Sequence, residues 1–479
     1  MLSRAEKGIL MPLASLNSKH GIGDLGEPAF AFIDFLYSFK QDYWQLLPLN
    51  PIGKGNSPYY SVSSFAGEIL YINLEDLLNS ELLKQEEIKE PDFIKGKINY
   101  KKVREFKLPL LKKAAERFDT SNQEFRNFLK KNEFWINGYA EFCTASEIYG
   151  KLSAFDRDLK FCRTKSLNEL RENHKEQIDF YKITQYFFFK QFFKMKKYAE
   201  SKKIKLIGDI PFYVSDSGAD VWLFPEYFKL DENLMPRLKA GVPPDIFSKT
   251  GQLWGNPIYD FEAQKKDGYL WWGQRLKKQA EMFDAIRIDH FRAFANYYEI
   301  PADAKNATYG KWKKGPGEEF FKILKKKIKF PFIIAENLGG EDDEEVCELL
   351  KKTNFCEMKI LQFCFEKTDD PTSIPENFLF NCVCYTGTHD NNTALGWFEK
   401  LSEKKKYLVS RYIDIKGDIA KNMIDFALSL NIKLVIIPLY DYLGLDESAR
   451  INIPGTQNGN WEWQAPDNYS KLIIEKYNK

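Results

Sequence analysis

At 479 residues the chain is long enough for about three ordinary domains, or for a single barrel carrying large insertions. Its 70 Lys and Arg balance 68 Asp and Glu to a net charge of +2. That leaves no global field to hold a nucleic acid or an anionic membrane, and it points to an uncharged partner. The opening MLSRAEKGILMPLASL is too short and too interrupted for a signal peptide, and no later run approaches the ~20 apolar residues of a membrane-spanning helix. Seven cysteines, odd in number and without a CxxC pair, form no disulfide framework, so a reduced, cytoplasmic chain is expected.

In chain order, short apolar runs stand at 42–49 (DYWQLLPL), 69–74 (ILYINL), 205–212 (KLIGDIPF), 284–291 (DAIRIDHF), 331–338 (PFIIAENL), 358–365 (MKILQFCF), 381–390 (NCVCYTGTHD) and 432–440 (IKLVIIPLY). A parallel strand buried on both faces reads as a continuous run of this kind, and eight of them predict an α/β fold, a (β/α)8 TIM barrel filling residues 1–479. Between the runs, 75–200 is rich in Lys, Glu and Phe at helical spacing and is expected to be a mainly helical insertion. The stretch 213–275, dense in Gly, Pro and Trp, is expected to be an irregular lid or insertion over the active site.

Four runs carry an acid at or near their C-terminal end: Asp209, Asp289, Glu336 and Asp390. Any one of them could be a helix cap or a simple strand stop. Four are harder to explain that way, because barrel strands send their C-terminal ends into one mouth, where barrel enzymes keep their catalytic groups.

Several motifs resemble those of one family. GVPPDIFSKTGQLWGNPIYDF (241–261), FDAIRIDHFRAF (283–294), IIAENLGG (333–340) and YTGTHDNNTALGWF (385–398) are similar to the lid, nucleophile, acid/base and stabiliser motifs of the amylomaltases, the 4-alpha-glucanotransferases. SLNSKHGIGDLG (15–26), WQLLPLNPIGKGNSPYYSVSSFAG (44–67) and RINIPGTQNGNWEWQ (450–464) resemble the family's motifs near the two termini. The resemblance covers nearly the whole chain in order. It implies transfer of α-1,4-glucan segments between maltooligosaccharides by retaining double displacement, with no cofactor.

The resemblance implies that Asp289 is the nucleophile, Glu336 the general acid/base and Asp390 the carboxylate that holds ring hydroxyls. Arg287 and His389 would orient nucleophile and sugar, Asp209 would stand near the same subsite, and Tyr59 and Trp254 would be aromatic positions of the sugar groove. Retaining cleavage independently requires two carboxyl groups roughly 5 to 5.5 Å apart, one attacking and one protonated. Asp289 and Glu336, 47 residues apart, fit adjacent strands four and five. Burial is expected to keep Glu336 protonated, while Arg287, on the same strand face as Asp289, is expected to favour an ionised nucleophile. The sequence departs from the usual motifs at Glu68, Ile246, Ala293, Asn337 and Ile451.

His290 is expected to point away from Asp289 along the pleat and carries less weight than His389. No HExxH, paired cysteines, EF-hand loop or glycine-rich nucleotide motif is present, so no metal is expected. Two further readings stay open on the sequence: an α-amylase-type retaining hydrolase on the same carboxylates, and a non-catalytic glucan-binding barrel.

Overall fold

The computed structural model describes residues 5–244, 248–339, 343–366 and 373–477. Among them twelve strands form: β1 (Glu6–Leu10), β2 (Tyr43–Gln45), β3 (Lys205–Ile210), β4 (Leu238–Val242), β5 (Gln252–Pro257), β6 (Ala285–Ile288), β7 (Asn296–Pro301), β8 (Lys311–Lys314), β9 (Phe332–Ala335), β10 (Cys356–Ile360), β11 (Cys382–Tyr385) and β12 (Leu434–Pro438). Eight of them close in the order β1-β2-β3-β6-β9-β10-β11-β12, all parallel, which is a (β/α)8 barrel.

Six of the barrel strands fall within the apolar runs read from the sequence, and a seventh, β10, overlaps the run at 358–365. The eighth is β1, in the opening stretch, and not the run at 69–74. That run forms a 3-10 turn at Ile69–Tyr71 and leads into the helix Leu74–Asn79. Its backbone polar groups find partners outside any sheet. Gln185 exchanges hydrogen bonds with Gly67 at 2.7 and 2.9 Å, and Gln191 does the same with Asn73 at 2.7 and 3.1 Å. Both glutamines lie on the 27-residue helix Lys175–Ser201, whose Phe188 ring leaves no space for a side chain at residue 67. Glu68, one of the unusual positions, accepts from the backbone N–H groups of Ile52 and Leu70 at 2.6 and 3.0 Å and so fixes the turn. The run at 358–365 is divided, ending β10 and then entering the helix Leu361–Glu366.

The 213–275 stretch is more regular than expected. It contributes β4 and β5 to a four-stranded antiparallel sheet, order β5-β4-β7-β8, completed by two strands that follow β6. Ile246 lies outside the described residues.

The barrel interior is a separate apolar layer supplied by every barrel strand, including Leu10, Tyr43, Ile207, Ala285, Ile334, Met358, Val383 and Ile436. Since side chains alternate along a strand, the residue two places further on faces the same interior, one layer nearer the mouth. Two places beyond Ile207, Ala285 and Ile334 stand Asp209, Arg287 and Glu336; two beyond Arg287 stands Asp289. An apolar floor therefore carries a charged upper layer.

Candidate functional site

Arg287 occupies the centre of that upper layer with its side chain only 2% exposed. Its Cα is in register with Asp209 on β3, and its Nη1 donates to both oxygens of that carboxylate at 2.8 and 2.7 Å. Its Nη2 reaches Asp289 Oδ1 at 3.1 Å and Glu336 Oε2 at 3.3 Å. One nitrogen touching both carboxylates limits the separation of those two oxygens to the sum of the contacts. That limit admits the ~5 to 5.5 Å of retaining glycosidases.

Backbone bonds hold the same two acids in place. The Asp289 N–H donates to the Ile210 carbonyl at 3.0 Å and the Glu336 N–H to the Ile288 carbonyl at 3.1 Å. The Glu336 side chain accepts from the His290 N–H at 2.5 Å. That N–H reaches Glu336 because His290 adopts a left-handed backbone, φ 48°, which ends the strand and turns the chain. The His290 ring is turned from the carboxylates into an aromatic box, edge-on to Trp254 at 4.8 Å and 6.3 Å from Tyr213. Burial pushes this imidazole down to about 4, so it is neutral at ordinary pH. Trp254 stands half-buried on β5, its Nε1 donating to Gln252 at 3.1 Å.

Asp390 follows β11 and meets the others from across the mouth. Its Oδ1 accepts from Asn452 Nδ2 at 2.6 Å, its Oδ2 lies 3.4 Å from His389 Nε2, and its carbonyl accepts from Arg450 at 2.7 Å. Buried His389 stacks on the Tyr59 ring at 5.0 Å and 16°, and the Trp461 ring lies tilted against the same imidazole with centroids 5.8 Å apart. The Tyr59 hydroxyl donates to Asp209 Oδ2 at 2.7 Å, which ties this ring cluster to the Arg287 centre. All eight residues singled out from the sequence thus belong to one connected constellation. The sequence reading missed Asn452, Arg450, Trp461 and the His290 backbone; the first three lay within the 450–464 motif, whereas a backbone donor has no signature in residue type.

The electrostatics differ among the acids. Burial pushes the Asp289 carboxyl well above its ordinary range, the neighbouring Glu336 adds to the rise, and Arg287 opposes it. Arg287 thus favours the ionised form of Asp289 as expected, but burial and Glu336 outweigh it. Asp209 is also raised by burial, against Arg287, His389 and the Tyr59 hydroxyl. Asp390 goes the other way. Burial works against its charge, yet His389, Asn452 and Arg287 bring it down to about 2.

Among the described residues, the group with metal-capable donors in reach of one another lies apart from these acids, at His20, Glu75 and Glu90. Nor is any helix of the described residues long and apolar enough to cross a membrane.

Comparison with known proteins agrees with this geometry. A family model described as 4-alpha-glucanotransferase matches residues 11–469. The 4-alpha-glucanotransferase of Streptococcus pneumoniae (strain TIGR4) is 39% identical over 485 aligned positions, covering 99% of this chain and 96% of that protein. The enzyme of the same name from Aquifex aeolicus is 40% identical, covering 98% and 97%. An amylomaltase from Streptococcus agalactiae, solved in complex with acarbose, superposes with a TM-score of 0.93 at 35% identity and full coverage of both chains. The chain belongs to the 4-alpha-glucanotransferase family.

Proposed function

We propose that this 4-alpha-glucanotransferase transfers glucan segments between maltooligosaccharides with Asp289 as nucleophile and Glu336 as general acid/base. The observation that carries the assignment is the shared Arg287 nitrogen, which holds the two carboxylates at a spacing suited to double displacement. In the first step an Asp289 oxygen forms a bond to the anomeric carbon as the glycosidic C–O bond breaks, and the Glu336 proton passes to the departing oxygen. In the second, an acceptor hydroxyl gives its proton to Glu336 and attacks the same carbon, releasing Asp289.

Two interacting carboxyls share their protons as a pair. Positive charge growing on the anomeric carbon beside Asp289 draws the ionised form there, which leaves the proton on Glu336, where the leaving oxygen needs it. Asp390 stays ionised and accepts from ring hydroxyls, oriented by His389 and Asn452. Asp209 fixes the Arg287 fork and the Tyr59 hydroxyl. Tyr59 and Trp254, both half-buried, offer apolar faces to the sugar. Trp254, on the strand that leaves the 241–257 loop, would shield the glycosyl-enzyme from water and favour a sugar acceptor. Seven free cysteines suit a reducing, cytoplasmic setting.

Glu336→Gln, supplied with a maltosyl fluoride whose leaving group needs no proton, should accumulate a covalent adduct. Peptide mass spectrometry should place it on Asp289; an adduct on Asp209 or Asp390 contradicts the roles. Trp254→Ala should lower the ratio of transfer to hydrolysis by up to roughly tenfold, the scale of one lost stacking contact, while total bond cleavage falls less. An unchanged ratio in a normally folded variant would remove Trp254 from the shielding role.

The pKa shifts fix the sign of two stability effects. Asp289, raised in the folded state, binds more protons there than in the unfolded chain, so stability declines as pH rises above the ordinary carboxylate value. Asp390, depressed, contributes stability above that value and loses it as pH falls towards about 2. Thermal melts at pH 7 should therefore show Asp289→Asn raised and Asp390→Asn lowered relative to wild type, both differences shrinking near pH 3. Shifts of the same sign in the two variants would contradict this electrostatic account.

A further inference from the structure

Three segments far apart in sequence meet at His20: the loop that follows β1, the start of the helix Leu74–Asn79, and the chain around Glu90. Together they line a cavity of about 870 Å³. The His20 side chain is 1% exposed, and its Nε2 makes no hydrogen bond. That nitrogen faces Glu75 Oε1 at 3.4 Å and Glu90 Oε1 at 3.5 Å, and the three atoms lie within 4.8 Å of one another. On the other side of the ring, Nδ1 lies 3.4 Å from Asp24 Oδ2.

Asp24 is fully buried and held from several directions. Its Oδ1 accepts from the Gly26 N–H and from Asn73 Nδ2, both at 3.0 Å, and Lys107 Nζ stands 3.8 Å from Oδ2. A carboxylate fixed in this way selects the histidine tautomer with its proton on Nδ1, so that Nε2 presents a lone pair. Three lone pairs, one from the imidazole and one from each glutamate, then stand within 4.8 Å of one another. That arrangement is unfavourable without a cation between them, and at present the Lys19 ammonium answers it, in contact with Glu75 and 3.4 Å from Glu90. Lys19 is more than half exposed and free to swing outward, whereas His20 is not.

Two of the three spacings match a small metal ion. Ligand atoms held at ~2.0–2.2 Å by a tetrahedral Zn²⁺ stand roughly 3.3 to 3.6 Å from one another, which is where Nε2 stands from both glutamate oxygens. Imidazole with two carboxylates suits a borderline divalent ion, and a buried carboxylate behind the histidine is the usual outer support of such a ligand. We propose that His20, Glu75 and Glu90 bind a divalent ion of the zinc class, oriented by Asp24 and in competition with Lys19. The site shares no residue with the Arg287 cluster, so its role would be to tie the loop after β1 to the chain at 90, not to take part in transfer.

Calorimetric titration of Zn²⁺ into the chelator-stripped full-length protein tests this. One ion per chain should bind. Affinity should fall at least about tenfold in Glu90→Gln and in His20→Gln, the smallest loss usual when a ligand or its support is removed. In Lys19→Met it should rise about two- to fivefold, as removal of a competing exposed cation implies. Glu90 lies on a partly exposed loop, so its variant reports even if the buried His20 replacement folds poorly. No saturable binding up to about 0.1 mM, or equal affinity in wild type and Glu90→Gln, would overturn the proposal.

Discussion

A single buried guanidinium carries this active centre. Arg287 must be desolvated to stand above the barrel floor, and that is tolerable only because Asp209 occupies one end of its fork while Asp289 and Glu336 share the other. The same contacts that satisfy the arginine limit the distance between the two carboxylates proposed to react. Burial then acts on the acids unequally. Asp289, near the centre and beside Glu336, is pushed towards its neutral form, while Asp390, with His389 and Asn452 as its own partners, stays charged. One desolvated cation with several acids around it thus leaves Asp289 raised and Asp390 lowered, two carboxyls of one site held in opposite directions.

The remainder of the fold holds that fork rigid. Parallel strands with a period of two stack an apolar layer beneath the charged one, which Arg287 and its partners rest on. The antiparallel sheet brings Trp254 onto His290, and the left-handed turn at His290 delivers a backbone N–H to Glu336. The insertion helix Lys175–Ser201 is fixed to the loop that follows β2 by Gln185 and Gln191, and that loop carries Tyr59 into contact with Asp209.

Much of this was legible beforehand, for a physical reason. Strands buried on both faces leave unmistakable apolar runs, and an acid at the end of four of them is conspicuous. What was not legible has causes as specific. β1 is only five residues long with Gly8 at its centre, where the Ile436 and Tyr43 contacts exclude a side chain, so its composition does not announce a strand. The run ILYINL has the composition of a strand, but its backbone polar groups pair outside any sheet, with Glu68, Lys107, the Leu25 N–H and Gln191, the last more than a hundred residues away. β4 and β5 hold Gly241, Gly255 and Pro257 and lack the alternation that marks a strand. Asn452 acts from a loop, His290 through its backbone, and the direction of the Asp289 shift depends on how many acids share one arginine. None of these can be read from residue type and spacing.

The central claim is that the fork of Arg287, and not only its charge, positions the reacting pair. Lysine at this position keeps the charge and loses the second nitrogen, so it cannot hold Asp209 and reach Asp289 and Glu336 at once. The most direct measurement is kcat of Arg287→Lys for glucose release from maltotriose, on protein shown by thermal melting to be folded. The account predicts a loss of at least about 100-fold, the scale on which removal of one preorganised electrostatic group acts. A kcat within about threefold of wild type, which is less than 1 kcal/mol of barrier, would contradict it.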